Sequence, residues 1–341
     1  MKEINLRDYY PFYTKDTVVE VPDEVADLLR SLSLQTCRDF EVVLVEDGST
    51  VPASGAVEKY RPLLPSLQYY DKSNEGRSIA RNYGIERSRG RWLIFFDSDC
   101  VIPADYFATL TAALKAEPLD CFGGPDAADE SFTDVQKAIN FAMTSFITTG
   151  GIRGGKVSLE KFTPRSFNMG YTREVYDRVG GFREMFSEDI DMSMRIRNAG
   201  FRMGLVRDAA VYHKRRVSFR KFLRQVYVFG MSRITLKLLY PGSLKVVHAL
   251  PAVAVTAGVV CCLLAALYSP WWLLPIGIYL LAVTLLALAQ SRSPKVAVLA
   301  VPASVIQIGG YGCGFIKAWV VKILLGRGRD IDEEIRLRKG R

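Results

Sequence analysis

Charged residues are absent from one long part of this sequence. The chain has 341 residues, with 45 Lys or Arg and 36 Asp or Glu, yet none of these lies between Val246 and Ser291. An uncharged stretch of this length is typical of membrane segments and excludes an ordinary soluble protein. A charged fraction of 24% in the whole chain argues against wholesale disorder. We therefore expect a membrane-attached protein with a folded soluble part.

The sequence also lacks paired cysteines and an N-terminal signal. Its six cysteines are scattered without a C-x-x-C pair. This spacing favours buried free thiols in a reducing compartment over a zinc site or a disulfide framework. The segment Met1–Asp16 is polar and has no apolar core, so we expect the front of the chain to stay in the cytosol.

The first 200 residues show the alternation of an α/β domain. Apolar residues at Val25, Leu28, Leu29 and Leu32 have the spacing of an amphipathic helix. Apolar β-rich runs at 40–45, 67–70 and 92–96 alternate with helical stretches, which favours a parallel sheet. Further helices are expected at 106–116, 173–179 and 188–198, and a glycine-rich loop at 149–155.

Acidic residues follow two of the predicted strands. Asp47 comes after the first run, and Asp97 and Asp99 come directly after Trp92-Leu-Ile-Phe-Phe96. In open α/β sheets, functional residues collect at the carboxyl ends of strands. Two carboxylates on a tight turn provide the hard oxygen ligands that Mg²⁺ or Mn²⁺ prefers. Because an isolated Asp-x-Asp is common by chance, its position after a strand carries this prediction.

The composition changes after residue 206. Residues 207–245 contain ten basic side chains and one acid, with aromatic and aliphatic residues between them. The pattern predicts a basic amphipathic helix on an anionic membrane surface, or, alternatively, a solvated basic face packed on the domain. Apolar spans follow at 246–267, 271–288 and 296–325, and the tail at 326–341 is basic.

Charge also predicts the topology. The segment before the first apolar span and the loop at 291–295 are basic, whereas the connection at 268–272 carries no charge. The first two spans are therefore expected to cross from inside to outside and back. The third span contains a glycine-rich interruption and two lysines, and whether it fully crosses stays open.

Four motifs together resemble the family 2 inverting glycosyltransferases of the GT-A fold. They occur in this order: Val45-Glu-Asp-Gly-Ser49, Asn74-Glu-Gly-Arg-Ser-Ile-Ala-Arg-Asn82, Phe95-Phe-Asp-Ser-Asp99 and Glu188-Asp-Ile-Asp191. The resemblance runs from about residue 22 to residue 245. It implies a GT-A-type, Rossmann-like α/β domain with a mixed, mainly parallel sheet flanked by helices, followed here by a helical membrane region.

The resemblance also implies roles for single residues. Asp47 corresponds to a contact with the nucleotide base or ribose, and Asn74, Gly76, Arg77 and Arg81 border the nucleotide-sugar site. The pair Asp97 and Asp99 would bind a divalent metal, Mg²⁺ or Mn²⁺, with Asp97 also facing the substrate.

The later motifs supply the expected acceptor side of the reaction. Asp189 occupies the family's position for the catalytic base, with Glu188 beside it. A simpler interpretation is that these acids only begin a helix, where they are favourable with its dipole. Asn168 resembles an acceptor-side residue or part of a plain turn, and His213 matches a position near the metal and diphosphate or is structural.

Two departures from the family pattern matter. The turn that usually packs on the nucleotide base is missing from Thr17-Val-Val-Glu-Val-Pro-Asp23, although Val18, Val19 and Val21 favour a short strand. The Gln-x-x-Arg-Trp motif of sugar polymerases is also lacking, which favours single transfers. The missing turn leaves a second hypothesis, a catalytically impaired membrane scaffold of the same fold.

The expected organisation has five parts: an atypical segment 1–22, a catalytic domain 23–206, an interfacial segment 207–245, a transmembrane region 246–325 with two to three helices, and a basic tail 326–341. Net charges of −6 for residues 1–206, +9 for 207–245 and +6 for 246–341 agree with this division. We expect a multi-pass inner-membrane protein with a cytoplasmic catalytic domain. It would transfer sugar from a UDP- or GDP-linked donor to a lipid-linked or glycan acceptor and contact membrane lipids. Nucleic-acid binding is disfavoured because the basic residues lie beside apolar spans.

Overall fold

A computed structural model describes residues 2–5, 18–21, 24–127, 132–150, 162–213 and 218–327. The chain divides into two compact units. The strand unit comprises residues 1–127, 162–184 and 188–213, and the helix unit comprises residues 128–161, 185–187 and 214–341. The predicted glycine-rich loop lies mostly outside the described residues, as does nearly all of the basic tail.

The strand unit alternates strands and helices over most of its length. Its elements are β1 Lys2–Asn5, β2 Val18–Val21, α1 Glu24–Ser33, β3 Val42–Asp47, α2 Ser54–Tyr60, β4 Leu67–Lys72, α3 Arg77–Arg87, β5 Trp92–Phe95, β6 Cys100–Val101, α4 Tyr106–Ala116, β7 Cys121–Gly123, β8 Asp126–Ala127, β9 Met169–Thr172, α7 Arg173–Val179, α8 Glu188–Asn198, β10 Met203–Leu205 and β11 Val211–His213; α5 and α6 belong to the helix unit. The predicted strand near residues 18–21 is present and pairs antiparallel with β1.

The strand ladders are mixed in direction. β3 pairs parallel with β4, while the four-stranded sheet has the order β10-β7-β9-β5. In that sheet β7 pairs parallel with β10 and antiparallel with β9, and β9 pairs antiparallel with β5. A third group has the order β6-β11-β8. The mixed sheet flanked by helices is confirmed. Four of the seven strand pairings in the described residues are antiparallel, so the expectation of mainly parallel pairing does not hold there.

Amphipathic patterns in the sequence account for the core of the strand unit. In α1 the predicted apolar face is buried at Leu28, Leu29 and Leu32, and it packs in a cluster with residues of α2, β4 and α4. A second cluster contains Leu93 of β5 and Tyr171 of β9. Burial of apolar side chains in these two clusters stabilises the strands, and the acidic motifs lie at the ends of those strands.

The helix unit is formed by six helices in the described part of the chain. These are α5 Asp134–Thr144, α6 Phe146–Thr149, α9 Phe219–Leu239, α10 Val246–Leu267, α11 Leu274–Ser291 and α12 Pro294–Trp319, the last continuing as a π-helical turn, Val320–Leu324. Three segments are long and apolar enough to cross a membrane: Val246–Leu267, Pro270–Ser291 and Pro294–Leu324. The glycine-rich stretch that interrupts the third apolar span does not break its helix.

Glycines set the contact between α9 and α12. A Cβ at Gly230 of α9 would lie 2.0 Å from the carbonyl oxygen of Tyr311, and a Cβ at Gly314 of α12 would lie 2.0 Å from that of Tyr227. Neither position has room for a side chain, so the two backbones approach closely. Small residues at helix contacts are a common feature of membrane-embedded helix pairs.

The apolar face of α9 is directed at other helices of its own unit. Phe222, Val226 and Ile234 are fully buried, and Arg220 and Arg224 are exposed. The predicted helix in the basic segment is therefore present and amphipathic. Its buried face packs on protein, which agrees with the alternative interpretation of a basic face packed on the fold, and its membrane contact stays a prediction.

All six cysteines are free. Cys100 and Cys121 are buried, as expected, whereas Cys262 and Cys313 are exposed in the helix unit.

Candidate active site

The ends of β3 and β4 bring together two of the four motifs. Asp47 is the last residue of β3 and pairs in register with Lys72, the last residue of β4. Gly48 follows with φ +66°, and a Cβ there would lie 2.6 Å from the backbone nitrogen of Asn74. The loop after β3 therefore contacts the loop after β4 directly, which requires glycine at position 48.

Asp47 is held by three donors. Its Oδ1 accepts hydrogen bonds from Lys72 Nζ at 2.6 Å and from the backbone N–H of Glu75 at 3.0 Å, and its Oδ2 accepts from the Gly76 N–H at 2.8 Å. Burial alone would raise the pKa of Asp47, but these hydrogen bonds and the Lys72 charge outweigh it and hold the pKa below its ordinary value. Asp47 is thus a fixed anion at a strand end.

Arg81 connects three further segments of the site. Its Nη1 donates to Glu188 Oε1 at 2.8 Å, and its Nη2 donates to Asp97 Oδ1 at 2.8 Å and to Ser166 Oγ at 3.0 Å. The Arg81 side chain is only 14% exposed. One guanidinium therefore joins the end of β5, the start of α8 and the turn before β9.

Arg77 lies one turn before Arg81 on α3 and contacts the same acid. Its Nη2 donates to Glu188 Oε2 at 2.7 Å, and its side chain is 57% exposed. Residues four apart lie on one helix face, which explains why both arginines reach Glu188. Gly76, with φ +102°, begins this helix, and nothing fills the space where its Cβ would stand.

Glu188 and Asp189 differ in their surroundings although they are adjacent. Glu188 is 2% exposed, and burial together with the neighbouring Asp189 charge raises its pKa, against the opposite effect of Arg77 and Arg81. Asp189 is 15% exposed, and its Oδ2 lies 3.6 Å from Arg165 Nη1. Both oxygens of Glu188 accept hydrogen bonds from arginines, whereas Asp189 accepts one from the backbone N–H of Ile190 at 2.8 Å and has only the longer contact to Arg165. Asp189 is also the more exposed of the two acids and is therefore the more available.

The third acid of this motif is structural. Asp191 is completely buried and pairs with Arg195 Nε at 2.9 Å and with Arg183 Nη1 at 3.3 Å. Arg195 also donates to the backbone carbonyl groups of Val179 and Gly181. This arrangement fixes the first turn of α8, which carries Glu188 and Asp189.

Asp97 and Asp99 supply too few ligands to complete a metal site alone. Within the described residues, no group of three or more His, Cys, Asp or Glu side chains is placed to hold a metal ion. Asp97 is 38% exposed and shares one oxygen with Arg81, which leaves its other oxygen available. Magnesium commonly binds one or two carboxylates and completes its shell with substrate phosphates and water. The donor set therefore suits a divalent ion that arrives with a phosphate ligand.

Strand register places His213 beside this pair. In the antiparallel ladder of β11 and β6, His213 pairs with Cys100, the residue directly after Asp99. The register concerns the backbone alone, because the His213 side chain lies outside the part that the structure describes. Its role stays a prediction.

Asn168 is placed inside the fold. It is fully buried, its Oδ1 accepts a hydrogen bond from Tyr106 at 2.5 Å, and its Nδ2 donates to the carbonyl of Ala209 at 2.8 Å. These contacts explain the residue structurally by joining β9 to α4 and the segment before β11. Its predicted contact with a sugar has no support in this geometry and stays a prediction.

Lys72, Arg165 and Ser166 were not predicted as site residues. Lys72 could have been found from the pairing of two parallel strands, because equivalent strand ends face the same edge of a sheet. Arg165 and Ser166 lie far along the chain from their partners, and no spacing rule connects them to Asp189 or Arg81.

Comparison with known proteins gives a consistent family signal. Residues 11–180 match the model described as glycosyl transferase family 2. The match begins within the segment 1–22, earlier than the resemblance near residue 22 had suggested.

Curated relatives match over short stretches. The chain is 41% identical over 71 residues to an uncharacterized glycosyltransferase of Rickettsia bellii, covering 21% of this chain and 10% of that protein. It is 33% identical over 94 residues to the uncharacterized glycosyltransferase YibD of Escherichia coli, covering 27% of each. The chain thus spans from a tenth to about a quarter of the length of these relatives.

A solved structure resembles the chain over most of its length. The mannosyltransferase PcManGT from Pyrobaculum calidifontis, in complex with GDP-Man and Mn²⁺, matches with a TM-score of 0.51 and 19% identity. The match covers 88% of this chain and 83% of the other. At this identity the likeness concerns the fold alone.

Proposed function

Because residues 11–180 match the glycosyl transferase family 2 model and the chain has a GT-A fold, we propose that the chain is a membrane-bound enzyme that moves a sugar from a nucleotide-sugar donor to a lipid-linked or glycan acceptor. The observation that carries the proposal is the position of Arg81, which joins Asp97 to Glu188. Three motifs separated by up to 107 residues thereby meet at one guanidinium.

The donor would bind at the edge formed by the ends of β3 and β5. Asp47 is fixed as an anion there and is oriented by backbone N–H groups, which suits acceptance of hydrogen bonds from a base or ribose. Arg77 is more than half exposed and lies at the start of α3. A cationic side chain beside a helix N-terminus favours a diphosphate. A UDP- or GDP-linked sugar fits this combination.

Asp97 and Asp99 are the residues that would hold Mg²⁺ or Mn²⁺ together with the donor's phosphates. When bound, such an ion supplies positive charge next to the leaving diphosphate. Arg81 would hold the Asp97 carboxylate in place, because its guanidinium is itself fixed by Glu188. The metal requirement is part of the proposal.

We assign the catalytic base to Asp189. In an inverting transfer, the acceptor hydroxyl would lose its proton to an Asp189 oxygen as its own oxygen bonds to the anomeric carbon. The bond from that carbon to the diphosphate breaks in the same step. Arg165, at 3.6 Å, would orient the Asp189 carboxylate, and Glu188 would act as a positioning residue through Arg77 and Arg81. A positioned general base commonly contributes about 10² to 10⁴ in rate.

The helix unit supports attachment to a membrane. It contains the three candidate spans and a basic α9. We propose a multi-pass inner-membrane protein whose strand unit is cytoplasmic, since basic residues flank the spans on one side. An acceptor carried by a membrane lipid would be available to such an enzyme and agrees with the absence of the polymerase motif.

The alternative is a membrane scaffold of the same fold that no longer binds a donor. The departure at residues 17–23 favours it, because the base-packing turn is missing from the sequence. The two hypotheses differ in nucleotide binding, which only the enzyme requires.

Calorimetric titration of the intact, detergent-solubilised protein with UDP and GDP in the presence of Mn²⁺ separates the hypotheses. The enzyme predicts saturable binding of one nucleotide that is lost on Arg81→Ala and weakened by a chelator. No detectable binding of either nucleotide by folded protein would favour the scaffold. Exposed Arg61→Ala, which removes a pair with Glu58 and a hydrogen bond to the carbonyl of Leu67 at the opposite end of β4 from Lys72, is the matched control and should bind as the wild type does.

A further inference from the structure

One residue beside the candidate base has a backbone conformation that is unusual for its type. Ser187 has φ +65°, and it directly precedes Glu188, the first residue of α8. Among the described residues, the other positive φ values belong to glycines and to Arg292, which ends α11. In this left-handed region a Cβ crowds the neighbouring backbone, so a serine needs contacts that hold it there.

A buried contact within the helix unit holds Ser187. Its Oγ donates a hydrogen bond to Ser232 Oγ of α9 at 2.8 Å, and Ser232 Oγ donates in turn to the carbonyl of Phe229 at 3.0 Å. The two serines are 8% and 4% exposed. Because a hydroxyl donates once and accepts twice, the donation to Phe229 fixes the Ser232 proton and leaves the oxygen lone pairs for Ser187. The two hydroxyl groups therefore form a short directed chain.

This contact keeps the Ser187 hydroxyl from capping α8. A serine immediately before a helix usually accepts a hydrogen bond from the backbone N–H of the second or third residue after it, here Asp189 or Ile190. The Ile190 N–H donates instead to Asp189 Oδ1 at 2.8 Å. The other oxygen, Oδ2, lies 3.6 Å from Arg165 Nη1. Asp189 thus caps its own helix through one oxygen, which fixes the direction of the carboxylate.

We propose that Ser187 and Ser232 are positioning residues for the base Asp189. Their hydrogen bond holds Ser187 in the left-handed conformation and keeps its hydroxyl away from Ile190, so the Ile190 N–H is left for Asp189 Oδ1. With Oδ1 occupied, Oδ2 is the oxygen that takes the proton as the O–H bond of the acceptor breaks. Neither serine contacts the reacting atoms, and both act through the Asp189 carboxylate.

This inference rests on the proposed function, since it requires that Asp189 accepts a proton from the acceptor. Its structural basis is separate, because the conformation of Ser187 can be measured in a protein that transfers no sugar. Donor binding is proposed for Asp47, Arg81 and Asp97, and the hydrogen bonds described for these residues involve neither serine. The two proposals can therefore fail separately.

The first test compares sugar transfer and nucleotide binding by the full-length wild type and Ser232→Ala. With radiolabelled UDP- and GDP-sugars at saturation, the transfer rate of membranes containing the variant should fall about tenfold, the factor that one buried hydrogen bond supports. Affinity for UDP or GDP should stay within about twofold, because the donor contacts are separate from this one. Ser304→Ala removes a fully buried serine hydroxyl of α12 and should transfer sugar at the wild-type rate. Equal rates for Ser232→Ala and the wild type would overturn the proposal.

Combined substitutions show whether the serines act through the base. Ser187→Ala, alone or together with Ser232→Ala, should slow transfer about as much as Ser232→Ala does, because a single contact is lost in each case. When Ser232→Ala is added to Asp189→Asn, the residual rate should not fall further, since the carboxylate that the serines position is already gone. A merely structural role of the serines predicts that the losses multiply in both combinations, and that result would contradict the proposal.

Crystal structures of the full-length wild type and Ser232→Ala separate this proposal from the proposed function. In the variant, φ of Ser187 should become negative and its Oγ should accept from the Ile190 N–H, which releases the Asp189 carboxylate. If this change occurs but the wild type neither binds nucleotide nor transfers sugar, the proposed enzyme fails and the conformational assignment stands. If the wild type transfers sugar and the Asp189 carboxylate has the same position in both structures, the positioning role fails alone.

Discussion

The two units of this chain are stabilised by different kinds of contact. In the strand unit, the candidate site depends on charged groups removed from water, with Arg81 between Asp97 and Glu188 and with Asp191 completely buried against two arginines. In the helix unit, α9 and α12 depend on close backbone approach at Gly230 and Gly314. Apolar side chains fill the remaining contact between these helices.

Because of this difference, the two units should tolerate different kinds of amino-acid substitution. A buried ion pair is sensitive to the loss of one charge at nearly constant volume, because the remaining charge is left in a medium of low dielectric constant. A glycine contact between helices is sensitive to added volume at constant charge. Loss of a charge should therefore destabilise the strand unit most, and added side-chain volume should destabilise the helix unit most.

The largest effect should follow the loss of the central cation. Arg81→Ala leaves Glu188 buried with Arg77 as its remaining partner and releases Asp97, so the free energy of unfolding of the strand unit should fall by about 3 to 5 kcal/mol. Nucleotide binding should be lost with it. Chemical denaturation followed by tryptophan fluorescence measures the first effect and titration the second.

Arg77→Ala provides the matched comparison for that variant. Arg77 contacts the same carboxylate but is 57% exposed, so water can replace it and the loss of stability should be much smaller. Equal destabilisation by the two substitutions would show that burial does not distinguish these arginines and would contradict the account of the strand unit.

The next largest effect should be on the rate of sugar transfer, with little change in stability. Asp189→Asn keeps the volume and should lower the transfer rate by about 10² to 10⁴, because the acceptor proton loses its base. Nucleotide affinity should change by less than about twofold, since a neutral isostere leaves the donor contacts of the other motifs in place. Asp177→Asn, an exposed acid on α7, is the control and should keep full activity. Normal turnover by Asp189→Asn would make the base assignment wrong.

Added side-chain volume at a glycine tests the contact between α9 and α12 in the helix unit. Gly314→Leu should destabilise the helix unit by about 1 to 3 kcal/mol, because its Cβ would lie 2.0 Å from the Tyr227 carbonyl oxygen and the helices must separate. Gly258→Leu of α10 meets open space and should have little effect. Thermal unfolding in detergent compares the two. Equal midpoints would contradict the role of glycine in this contact.

The smallest effect is a difference in pH dependence within the site. Asp47 has a pKa below its ordinary value of 3.8, so its contribution to stability is present above that pH and is lost as the pH falls through the lower folded value. Glu188 has a pKa above its ordinary value of 4.5, so folding loses stability as the pH rises from 4.5 through the higher folded value. Asp47→Asn should therefore weaken the loss of stability at low pH, and Glu188→Gln should weaken the fall in stability above pH 4.5. Denaturation curves at several pH values would contradict this if both variants changed the same limb.

Local patterns predicted the elements that carry the site better than they predicted its contacts. The spacing of Leu28, Leu29 and Leu32 correctly predicted the buried face of α1, and the apolar run before Asp97 correctly predicted β5. Both depend on neighbours in the chain. The ion pair between Arg81 and Glu188 joins residues 107 apart, and only the folded structure brings them together.

Other features escaped prediction for related physical reasons. Asn168 has the same motif context whether its amide faces a sugar or the interior, and only the surrounding carbonyl and hydroxyl groups decide between them. The helix α5, Asp134–Thr144, belongs with the C-terminal helices because Ile139 and Phe141 pack in a cluster with α9 and α12. Nothing in their local sequence specifies that partner, and the predicted boundaries of the catalytic domain stay a prediction.

Sugar transfer to lipid is the measurement that tests the central claim most directly. Membranes containing the full chain would be incubated with Mn²⁺ and radiolabelled UDP- and GDP-sugars, and the label in the organic extract would be compared with that from membranes containing Asp189→Asn. The account predicts label from at least one donor with the wild type and a loss of about 10² or more with the variant. Equal labelling by the two proteins, or no labelling by folded wild-type protein with any donor, would contradict it.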